Sequence, residues 1–173
     1  MTSLVVYCFF FILLPRPPRS TLFPYTTLFR SLLLVHHGYF WKGEDARIIG
    51  LKYKRVRSLI ESGINLVAYH LPLDAHPLYG NNAKLAELLE LDIAGNFPSG
   101  NSALGMYGTL KSPMSAAELS QKITKALDRE ALHIGDKSDQ IHTIAWCSGA
   151  AQSYIEEAAH LGVDAYLTGE ISE

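Results

Sequence analysis

Of the chain's 173 residues, 15 are basic and 17 acidic, a formal charge of −2 at pH 7 with histidine neutral. Arg16, Arg19 and Arg30 are the charged residues that precede Leu32, so the 142 residues from Leu32 to Glu173 hold 12 bases and 17 acids, a charge of −5 with no basic run. That balance argues against nucleic acid or an anionic membrane as the main partner, and the length suffices for one domain, or two small ones, with a genuine core.

Leu4–Leu14 (LVVYCFFFILL) looks like the apolar centre of a signal peptide. It is shorter than the about 20 apolar residues of a membrane span, and it lacks a basic flank and a small-residue cleavage site. Arg16–Ser31 (RPPRSTLFPYTTLFRS) keeps neither the helical nor the strand period. Back-translated in one frame, it resembles a sequencing-library adapter oligonucleotide. Residues 1–31 are therefore expected to be non-native and disordered, outside the fold. The chain stops at Gly169–Glu173 just after a strand-like run, which reads as a fragment cut at both ends.

Leu32–Val35 is a continuous apolar run closed by His36-His37-Gly38, the pattern of a buried parallel strand. Tyr53–Ser62 sets Val56, Leu59 and Ile60 on one helical face, and Gly63 follows as the C′ residue. Ile64–Tyr69 predicts a second strand. Pro72 and Pro77 cannot donate to a ladder, so His70–Pro77 is expected to be a loop leaving the sheet. Asn81 or Asn82 is the expected cap of a helix carrying Leu85, Leu88 and Leu89. Residues 95–115, rich in Gly, Ser and Pro, mark a crossing between a first lobe at 32–94 and a second at 95–173. Ser115 caps a helix through Leu127, and a turn follows at Gly135-Asp136-Lys137. Ile141–Trp146 is a strand, Ser148–Ala151 turns into a helix through Leu161, Gly162 ends it, and Val163–Leu167 is a further strand. A right-handed crossover is expected there. This alternation predicts an α/β fold, a layered sheet with helices on its faces.

Four of the seven histidines fall between His36 and His76. Adjacent strand residues face opposite ways, so His36 and His37 cannot share one ligand sphere within a strand. At the carboxyl end of a parallel strand the chain curls away, and both rings can enter the crevice where such sheets bind ligands. Asp74 leaves the next strand on the same edge. Imidazole with carboxylate suits zinc, manganese or iron at a hydrolytic site, although a His-His pair in a loop is more often simply solvated. His70 and His76 read either as donors that orient a ligand or as loop histidines bonded to backbone. Tyr39, Phe40 and Trp41 are expected to pack as core or wall, and Lys42 and Glu44 to be solvated. Cys147 is the one cysteine after Leu32, a thiol that supports no disulfide framework and suits a reducing cytoplasm. It stands where a nucleophile would, but without a base it reads as a buried structural thiol. Ser148-Gly149 lacks the G-x-S-x-G pattern and reads as a glycine turn or an anion nest. Glu170 is either a site residue or an exposed acid.

Leu34–Trp41 (LVHHGYFW), His70–His76 (HLPLDAH) and Gly80-Asn81-Asn82 together resemble the Nif-three-like family of dinuclear metal proteins, whose members go by the description GTP cyclohydrolase I type 2 homolog. Ala145–Ser153 (AWCSGAAQS) and Val163–Glu170 (VDAYLTGE) resemble the same family in order and spacing, so the likeness covers essentially all of residues 32–173. It implies two interlocked α/β lobes and a ring-shaped homohexamer with two divalent ions per subunit, zinc, manganese or iron. By position, His36, His37 and Asp74 match three of the metal ligands. The family's other ligands, a histidine and a glutamate one helical turn later, would follow Glu173, and its first strand and helix would precede Leu32. The implied activity is metal-dependent hydrolysis of a small molecule, with these three residues positioning ions rather than moving protons. The alternatives are a non-catalytic ring scaffold or regulatory assembly, or ions that only stabilise the fold.

Overall fold

The computed structural model describes residues 31–100 and 103–171. The expectations for residues 1–30 lie outside the described residues, and Ser31 opens the first strand. The chain divides after His70 into two compact units.

In the first unit, β1 (Ser31–Val35) and β2 (Ile64–Ala68) pair in parallel through α1 (Gly50–Glu61), in a register that sets Ser31 against Ile64 and Val35 against Ala68. Gly63, at φ 61°, occupies the left-handed region that ends α1, as the sequence predicts. Two expectations need correction. Leu32–Val35 are half-buried rather than buried, because β1 belongs here to a sheet of two strands. Ile60, expected beside Val56 and Leu59, is 73% exposed. The covered strip of α1 runs through Lys52, Val56 and Leu59, and Ile60 lies off it.

The second unit opens with one helical turn, α2 (Leu71–Asp74), where the prolines predict a loop. Pro72 is tolerated there because first-turn amides have no intrahelical acceptor. Then come α3 (Asn81–Leu89), β3 (Leu91–Phe97), β4 (Gly105–Ser115), α4 (Ala116–Leu127), β5 (Gln140–Cys147), a 3₁₀ turn at Gln152–Tyr154, α5 (Ile155–His160) and β6 (Ala165–Thr168). The strands form one sheet in the order β3-β4-β5-β6, antiparallel except for the parallel pair β5–β6.

Residues 95–115, which composition marks as a crossing, are largely strand. Gly100, at φ 108°, lies in a bend as the composition suggests, but Gly95, Gly105 and Gly108 are there for close approach. A Cβ on Gly105 would lie 2.5 Å from the Phe97 ring, and one on Gly108 would lie 1.9 Å from the carbonyl oxygen of Asp92. Gly108 faces the irregularity between Ile93 and Gly95, where β3 bulges toward it.

Side-chain alternation along β5 divides the core. Ile144 and Trp146 join α3 and α4 through Ala83, Ala86, Leu89, Leu119 and Ile123, while Ala145 on the other face meets Phe97 and Ala158. Trp146 is fully buried. Removing roughly 200 Å² of indole surface from water contributes about 5 kcal/mol. No helix among the described residues is long and apolar enough to cross a membrane.

Ser115 caps α4 as the sequence predicts. Its hydroxyl accepts the Glu118 amide at 3.3 Å, and the Glu118 carboxylate accepts the Ser115 amide at 2.8 Å. That backbone hydrogen bond, with one from the Ser115 hydroxyl, holds the Glu118 carboxyl below its ordinary range. Ser115→Ala removes the cap and is expected to lower stability by about 1 kcal/mol, read as a lower urea midpoint at unchanged slope. An unchanged midpoint would mean that packing alone holds the end of α4.

Candidate functional site

In the first unit, strand pairing gathers three imidazoles. The parallel register ends at Val35 and Ala68, and the Tyr69 amide donates to the Val35 carbonyl at 2.9 Å, extending the ladder by one step. Beyond that step His36-His37 leaves β1 and His70 leaves β2 side by side. Their ring centroids are 4.8 Å apart in all three pairings, with His36 and His37 tilted by 34° and His70 nearly perpendicular to both. The turn after β1 folds tightly over β2, since a Cβ on Gly38 would lie 3.2 Å from the Ala68 Cβ.

Trp41 walls the cluster. Its indole lies edge-on to His37 and His70 at 5.2 Å, and its Nε1–H donates to the Gly38 carbonyl at 3.2 Å. The expected aromatic wall is therefore present at Trp41, whereas Phe40 is 69% exposed beneath the Lys52 ammonium. Glu44, expected in solvent, is exposed and pairs with Lys52 at 3.3 Å.

Each imidazole offers one nitrogen, and the three nitrogens all lie within 4.8 Å of one another. Nitrogens sharing one ion at about 2.0–2.1 Å stand about 3.3 Å apart on a tetrahedron, so modest ring rotation closes the set. Neutral imidazoles suit zinc, copper, iron and nickel. The donor set therefore fits a divalent transition metal. His70, which the sequence allows to orient a ligand but more commonly reads as a loop histidine bonded to backbone, stands in the cluster beside His36 and His37.

In the second unit the described contacts build a closed turn around Asp74, which is 8% exposed at the end of α2. The Ala75 amide donates to Leu71 and the His76 amide to Leu73. His76 Nδ1 accepts the Leu78 and Tyr79 amides at 3.2 and 3.1 Å, so this histidine serves as a backbone-bonded cap. The turn closes on Gly80, where an added Cβ would come within 2.4–2.8 Å of the carbonyl oxygens of His76, Leu73 and Asp74. Immediately afterwards Asn81 Nδ2 donates to Asp74 Oδ1 at 2.5 Å.

Neither asparagine caps α3, whose N-cap is Gly80. Asn82, 0% exposed, instead donates to the Leu104 carbonyl at 2.7 Å and accepts the Ser148 amide at 2.7 Å, while its main-chain carbonyl accepts the Trp146 indole N–H at 2.9 Å. Cys147 is 4% exposed, and burial first, with the Asp74 charge also acting, pushes its thiol up from the ordinary range against a hydrogen bond from Asn82. Burial and a raised pKa are the features of a structural thiol. The turn after β5 uses its own groups. Gly149 O accepts the Ala151, Gly169 and Glu170 amides, and the Tyr166 hydroxyl donates to Ala151 O at 2.6 Å, its pKa pushed up to about 12 chiefly by burial. Glu170 is exposed.

Fold and cluster together define an α/β protein with an imidazole group, at the carboxyl ends of two parallel strands, that could hold a metal ion. The family profile Duf34/NIF3 (NGG1p interacting factor 3) matches residues 29–173, and the chain belongs to that family. A Yersinia pestis protein described as GTP cyclohydrolase 1 type 2 homolog is 49% identical over 142 residues, 82% of this chain and 56% of the relative. A Pseudomonas aeruginosa protein of the same description is 48% identical over 144 residues, 83% of this chain and 57% of the relative. A solved structure described as protein ybgI of unknown function superposes with TM-score 0.77 at 45% identity, over 83% of this chain and 57% of its own. The chain thus spans little more than half the length of these relatives.

Proposed function

We propose that the protein is a metal-dependent hydrolase that binds two divalent ions, zinc, manganese or iron, through His36, His37 and Asp74, and that it works in the cytoplasm as part of a homo-oligomeric ring. The observation that carries this reading is the set of three imidazole nitrogens within 4.8 Å of one another. The shared description of the relatives, GTP cyclohydrolase 1 type 2 homolog, points to hydrolysis of a small ring-bearing molecule. When bound, such ions polarise a carbonyl or phosphoryl oxygen and lower the pKa of water. The chain's own residues hold and orient. His36, His37 and His70 offer imidazole nitrogens and Trp41 covers one side of them, while Asp74, in a closed turn of its own unit, is the carboxylate ligand of this reading.

Metal-loaded protein is assayed on a panel of nucleotides including GTP, esters and amides, beside Asp74→Ala and chelator-treated protein. The expected result is metal-dependent turnover that falls to background in Asp74→Ala while the oligomeric state, read by light scattering, stays unchanged. Metal binding without turnover on any member of the panel would overturn the hydrolase reading in favour of a scaffold. Chelation that lowers only the melting temperature would assign the ions to the fold.

A further inference from the structure

The two asparagines that open α3 face different tasks. Asn82 is wholly buried and tied at both ends of its amide, to Leu104 and Ser148, and its carbonyl receives the Trp146 indole. The first turn of α3 is thereby tied to the end of β5, a core strand. Asn81, one residue earlier on the same turn, is exposed. Its amide nevertheless reaches back seven residues to Asp74 Oδ1 at 2.5 Å. Between the two partners the chain is closed by Gly80, whose hydrogen position already faces three carbonyl oxygens, and by the two amides that His76 accepts. The anchored donor and the tight turn at Gly80 thus place a hydrogen bond on one oxygen of the Asp74 carboxylate.

We propose that Asn81 is a positioning residue for a divalent cation, acting through Asp74 by holding one carboxylate oxygen so that the group is presented in a single rotamer. This rests on the reading of Asp74 as a metal ligand. Carboxylates that bind metals are commonly oriented by outer hydrogen bonds, and removing such a bond lowers affinity by about 10–100-fold. A helix-capping role predicts something else, because α3 takes its cap from Gly80 and the Asn81 side chain points back to Asp74 rather than to an α3 amide.

The test measures Zn²⁺ affinity of the whole protein by competition with a chromophoric chelator, alongside the melting temperature of the metal-free form. Asn81→Leu keeps shape and removes the donor. It is expected to bind Zn²⁺ about 10–100-fold more weakly with an unchanged metal-free melting temperature, and Asn81→Gln, which restores an amide donor, to recover affinity. Asp74→Ala is expected to lose affinity by at least as much. Wild-type affinity in Asn81→Leu with a weakened Asp74→Ala overturns the positioning role alone. Wild-type affinity in Asp74→Ala overturns the ligand reading and the positioning role with it. A weakened Asn81→Leu that Asn81→Gln does not rescue, or that melts lower without metal, assigns the residue to the fold.

Discussion

Asn82→Ala is expected to destabilise the protein by about 3–4 kcal/mol, a large share of the 5–15 kcal/mol typical of a domain. The substitution removes a side chain that is 0% exposed and leaves two part-buried partners without it, the carbonyl of Leu104 and the amide of Ser148. Each stranded group costs about 1–3 kcal/mol, whereas a hydrogen bond exchanged for water contributes about 1 kcal/mol. The damage is not confined to one place. Leu104 precedes β4 and Ser148 follows β5, so the amide ties the start of one strand to the end of its neighbour. Trp146, whose indole donates to the main chain of Asn82, loses its fixed acceptor if the first turn of α3 moves. Urea denaturation of the metal-free protein measures the effect. A loss below about 1 kcal/mol would show that water reaches these groups and that the hub contributes little.

The same hub shows where local sequence reasoning stops. A polar residue ahead of an apolar helical run reads as a cap, and Asn81 and Asn82 satisfy that pattern. Their partners lie 7, 22 and 66 residues away, at separations a local template cannot span. The glycines of 95–115 mislead for a related reason. Gly95, Gly105 and Gly108 are small because Tyr107, Phe97 and the backbone of Asp92 occupy the space their side chains would need, a tertiary demand that composition renders as turn. The strands β1, β2 and β5, the Ser115 cap and the ends of α1 and α5 were legible because each is written in neighbouring residues. His36 and His37 were legible for the same reason, as polar residues closing an apolar run before a glycine. His70 could have been found beside them. Two apolar strands joined by one helix pair in parallel, and a histidine just past the end of each falls at the same edge.

That pairing supports a sharp expectation for His70. If all three imidazoles grip one cation, His70→Ala removes a direct ligand and should weaken Cu²⁺ or Ni²⁺ binding by about 100-fold or more, ~2.7 kcal/mol, since even residues behind a ligand are worth about 10–100-fold. Nitrogen donors also impose an order, with Cu²⁺ tighter than Ni²⁺, Ni²⁺ tighter than Co²⁺ and Mn²⁺ weakest. Trp41 provides the readout, because its indole lies 5.2 Å from both His37 and His70, close enough for a paramagnetic ion to quench its fluorescence. Trp146 is wholly buried among α3 and α4 side chains and supplies the background. Titration with Cu²⁺ should therefore quench a component that Trp41→Phe abolishes, and His70→Ala should move the midpoint without removing the component. A midpoint that stays in place would leave His36 and His37 holding the ion without His70, which would then serve to pack and orient the pair. A quench that survives Trp41→Phe would put the ion elsewhere, and the imidazole cluster would lose its claim to be the metal centre.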